Sequence, residues 1–215
     1  MGTWGSGIYD NDHALDRLAE LVEPVCEATS PAQLPVALGL LAWLLPEHLT
    51  AAIDQHRTRF LALPADMALW PEDTLTAVEA LFTDPEAATH ERGREAAATE
   101  AIGSYSNGPR IEPLLRAPGG EVVIEALAAR AAEHLDRALK SRDPLSTLAG
   151  ELAALGVLIE LATAGFSRPS PARVAAWAAG FDAADRRTRD ERSFWDRYVV
   201  RVRRGLELLA APPTS

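Results

Sequence analysis

Among the residues that could do chemistry, Asp10, Asp12, His13 and Asp16 stand closest together, three carboxylates and an imidazole within a single short run. Hard oxygen ligands spaced this way suit Mg²⁺ or Ca²⁺. An EF-hand loop would also need a glycine at its sharp turn and a bidentate Glu further on. Neither is present, so capping of a following helix by the same acids is the simpler reading, and no metal site is expected.

The five histidines, at positions 13, 48, 56, 90 and 134, form neither the Glu-x-x-His pairs of di-iron bundles nor the His-Glu-x-x-His of zinc proteases. Asp10 with His13 is the one carboxylate three residues ahead of a histidine, and most of the five are expected on surfaces or at helix ends. Cys26 has no cationic neighbour in sequence to lower its pKa, and the chain holds no second cysteine to pair with it. A buried, inert thiol is expected. The loop from Gly103 through Ser104, Tyr105, Ser106 and Asn107 to Gly108 fails as a nucleophile elbow, because residue 104 is Ser and no strand is expected before it. No catalytic residue and no cofactor is expected from these patterns.

The basic groups that could meet phosphate are the arginines at 186, 187, 189, 192, 197, 201, 203 and 204, offset by Asp190, Glu191 and Asp196. Arg197, Arg201 and Arg204 share one helical stripe. Such a stripe suits phosphates or an acidic protein surface, but a solvated face paired with the acidic first half of the chain is more economical. That half is strongly acidic: residues 1 to 101 hold 17 acidic and 5 basic side chains, against 14 and 16 in the remainder, within a net charge of −10. Nucleic acid is therefore not the expected partner. Of the 21 basic residues only Lys140 is Lys, a bias that fits a GC-rich genome better than a selected phosphate surface.

The elements that must position these residues are helices. The composition is 47% hydrophobic but only 6% aromatic and is rich in Ala and Leu, which favour helix over sheet. Four good N-cap residues precede a proline: Ser30 and Pro31, Asp84 and Pro85, Asp143 and Pro144, Ser170 and Pro171. Proline suits the first helical position, where its missing N–H has no partner to lose, and it holds the preceding residue extended as a cap requires. Gln33 completes a capping box with Ser30.

Apolar spacing then predicts helices near 12–28, 32–45, 47–62, 72–82, 85–102, 120–141, 144–165, 171–187 and 190–210. Two are apolar nearly all round, 34–45 with no charge and 145–165 with only Glu151 and Glu160, and such helices belong in the middle of a bundle. The uncharged run from Ala28 to Pro46 is interrupted by Pro31 and Pro35 and is too short in its strongly apolar part to cross a bilayer. The last helix carries Trp195, Tyr198, Val199, Val202, Leu206 and Leu209 at helical spacing and is expected to dock on others. An all-α multi-helix bundle of about eight or nine helices follows, preceded by an irregular Gly-rich segment. It is read as a single domain, with the Gly- and Pro-rich stretch 102–120 offering a subdivision into halves 1–102 and 120–215.

The most distinctive stretch is that opening segment, Gly2, Thr3, Trp4, Gly5, Ser6, Gly7, Ile8, Tyr9, Asp10, Asn11 and Asp12, which runs into a helix carrying Leu15, Leu18, Leu21 and Val22. Glycines flanking a tryptophan permit close approach of the backbone to a neighbouring helix or a ligand. Trp4, Gly5, Gly7, Tyr9, Asp10, Asn11 and Asp12 are the candidate binding residues. The plainer account packs Trp4 and Tyr9 on the bundle and lets Asp10, Asn11 or Asp12 cap the first helix.

This opening resembles that of an uncharacterised bacterial family, domain of unknown function 4259. The resemblance rests on Met1, Gly2, Thr3, Trp4, Gly5, Tyr9, Asp10, Asn11 and Asp12, leading to Ala14, Leu15, Leu18, Ala19, Glu20 and Leu21. It covers about the first two dozen residues and implies bacterial relatives without implying an activity.

The leading expectation is a non-catalytic cytoplasmic protein, regulatory or immunity-like, that binds another protein and no membrane. An enzyme of unspecified class with a divalent-metal or polar site near Asp10, Asp12 and His13, and a nucleic-acid binder using the C-terminal arginines, are the alternatives. The sequence sets no oligomeric state.

Overall fold

The computed structural model describes residues 8–9, 12–61, 70–86, 96–103, 107–140, 144–187 and 192–212. Among them are ten α-helices, one 3₁₀ turn and no strand. In chain order these are α1 (Asp12–Glu27), the 3₁₀ turn (Pro31–Gln33), α2 (Leu34–Leu44), α3 (Pro46–Leu61), α4 (Glu72–Thr83), α5 (Ala96–Ile102), α6 (Glu112–Leu115), α7 (Gly120–Lys140), α8 (Pro144–Thr163), α9 (Pro171–Arg187) and α10 (Arg192–Ala210). The all-α expectation holds, and no helix among the described residues is long and apolar enough to cross a membrane.

The starts follow the chemistry of the sequence. Pro144 and Pro171 open α8 and α9, and the Ser170 hydroxyl oxygen accepts the Arg173 N–H at 3.3 Å, satisfying a first-turn amide that has no partner within the helix. At the 3₁₀ turn the Ser30 N–H and hydroxyl both donate to Gln33 Oε1, at 3.0 and 2.9 Å. The end of α8 is set by Gly165, whose φ of 74° reverses the chain. Its N–H reaches Ala162 O while the Phe166 N–H reaches Leu161 O, the pairing of a Schellman ending.

The chain divides into two units. Residues 1–21, 95–105 and 128–215 make unit 1, and residues 22–94 and 106–127 make unit 2. The divisions fall inside α1 and α7 and at two other points, so the units are not the consecutive halves that the Gly-rich stretch 102–120 suggests. That stretch instead contains the short helix α6, which its four residues were too few to announce.

Each unit is built around one uncharged or nearly uncharged helix. In unit 2 every residue of α2 is buried, with the 3₁₀ turn, α3, α4 and α6 against it. The Gly108 N–H adds a bond to Trp43 O at 2.9 Å, and the Thr74 hydroxyl ties α4 to Pro113 O at 3.2 Å. In unit 1 residues 151–162 of α8 are all buried, α5 and α10 pack on α8, and α9 packs on α10. A helix with no polar stripe loses nothing by being covered on every side, which is why these two sequences take the centres. The inner face of α10 is the expected one: Tyr198, Val202, Leu206 and Leu209 are buried.

Candidate functional site

Of the opening segment, Trp4, Gly5, Gly7, Asp10 and Asn11 lie outside the described residues. Tyr9 is wholly buried in unit 1, its N–H bonded to Ile102 O at 3.4 Å. Its ring lies directly on α8 at Gly156, where a Cβ would stand 2.5 Å from the ring carbon Cζ. Glycine is required there by close approach. Asp12 is the first residue of α1 and half-buried, while His13 and Asp16 point to solvent. Among the described residues no three of His, Cys, Asp and Glu are placed to hold a metal ion.

The strongest polar cluster of unit 1 lies elsewhere. His134 on α7 and Glu151 on α8 are both buried, with His134 Nδ1 3.0 Å from Glu151 Oε2. The second carboxylate oxygen faces Arg17 of α1, Nε to Oε1 at 3.6 Å, and Arg17 also pairs with Glu20. Arg130, one turn before His134, donates to Glu20 O at 3.0 Å. A carboxylate that accepts from an imidazole at Nδ1 fixes the ring and leaves Nε2 as its free nitrogen, the arrangement a general base uses. It equally satisfies two polar side chains that the helix packing has buried.

A second cluster joins α7 to α9. Asp136 accepts from Trp177 Nε1 at 2.5 Å and from Arg173 Nη2 at 2.8 Å, and the Arg173 guanidinium lies 5.5 Å from the centre of the Trp177 ring. Burial alone would raise the Asp136 carboxyl, but the two hydrogen bonds and the Arg173 charge outweigh it and hold the carboxyl below its ordinary range. In unit 2, burial first and the charges of Glu23 and Glu27 second push the Cys26 thiol well above its ordinary value. Its Sγ lies 3.6 Å from Ala37 O, so the thiol is inert as the sequence suggests.

Three arginines of the C-terminal cluster, Arg201, Arg203 and Arg204, are engaged with the chain itself. Arg201 donates to Glu100 O at the end of α5, Arg204 meets Glu100 and Glu207 at 3.5 and 3.3 Å, and Arg203 lies 3.1 and 3.0 Å from Asp182 and Asp185. Glu100 belongs to the acidic first half, whereas Asp182, Asp185 and Glu207 belong to the second.

Between α9 and α10 lies a groove of about 300 Å³. Val174, Ala175, Ala178, Phe181 and Leu206 make its floor and walls, and Asp182, Arg203 and Glu207 stand at its rim. Its other end is formed by Pro171 and Ala210, so the start of α9 faces the end of α10 and the two helices run antiparallel. Sequence patterning missed this groove because it is shared between two helices, and neither face is distinctive alone. No protein-family model, curated protein or solved structure matches the chain.

Proposed function

We propose that the protein is a non-catalytic, regulatory protein that binds another protein, and that the α9–α10 groove receives a helix of its partner. The observation that carries this is the groove itself, an apolar trough with opposite charges at its edge. That combination fits one face of an amphipathic helix, whose apolar residues seat on the floor while its polar flanks meet the rim. Support also comes from the chemistry-bearing side chains. The Glu151–His134 and Asp136–Trp177 bonds tie helices together inside unit 1, and the Cys26 thiol is buried. The reading extends to a cytoplasmic setting, to bacterial relatedness through the Gly/Trp opening, and to Trp4, Gly5, Gly7, Asp10 and Asn11 as further contact residues.

The test is a photoreactive amino acid at Ala178, on the groove wall. Irradiation in the source cell is expected to give an adduct with a helical segment of a polypeptide, mapped by peptide mass spectrometry, and Ala178→Trp is expected to remove that association by filling the trough. A folded protein that yields no adduct from position 178, and whose associations survive Ala178→Trp, would refute the reading.

A further inference from the structure

We draw no further inference here: the strongest candidate, the buried side-chain cluster in which His134 and Glu151 join α7 to α8 with Arg17 of α1 beside them, carries nothing, because its members satisfy one another within the helix packing already described and no described residue next to them points to a ligand.

Discussion

Tyr9 and Gly156 show how a single missing side chain decides where the start of the chain goes. The phenol occupies the space a Cβ would need, so Gly156→Ala must displace either the ring or α8. Its expected cost is about 1–3 kcal/mol, the range for overpacking a filled core, measured as a lowered midpoint in urea. Cys26 offers a second reading at this scale. Because burial raises its folded pKa, the native state keeps a proton that the unfolded chain gives up near pH 8.5. The resulting stability is whole below that pH and is lost as pH rises above it, by up to about 1.4 kcal/mol per unit. Cys26→Ala is expected to flatten that alkaline limb of stability against pH, and an alkylating reagent is expected to label the wild-type thiol only when the chain unfolds.

Between helices, polar bonds fix which face meets which. Asp136 binds Trp177 and Arg173 across α7 and α9, and its carboxyl is held low. A depressed carboxyl contributes stability above the unfolded value of about 3.9 and loses it as pH falls through the folded one. Asp136→Asn is expected to lower the melting temperature at pH 7 and to remove part of the wild type's steepening loss below pH 4, both measurable by thermal melts across pH. These pairs also mark the limit of what the sequence reveals. Pro144 and Pro171 announce α8 and α9 because caps and first turns are local, and the uncharged α2 and α8 announce central positions because burial on all sides needs no partner to be specified. His134 and Glu151 stand 17 residues apart on different helices, and no spacing rule connects them. The helix near 85–102 is seen from Ala96 to Ile102, with residues 87–95 outside the described residues. The groove was illegible for the same reason as the buried pair: it belongs to α9 and α10 jointly, and its alanines read singly as ordinary helix formers.

For the whole molecule, the net charge of −10 and the pairing of Arg203 and Arg204 with carboxylates are in keeping with the proposed protein partner. The interleaving of the two units carries a consequence for how the chain is made. All of unit 2 has been synthesised once residue 127 has been added, whereas unit 1 also needs α8 to α10. At about 5–20 residues per second the ribosome takes on the order of ten seconds to travel from α1 to α10. Ala14, Leu18 and Leu21, which end up sealed from water, spend that interval without their permanent neighbours. The apolar face of α1 is thus expected to be open to association with other chains until translation is finished.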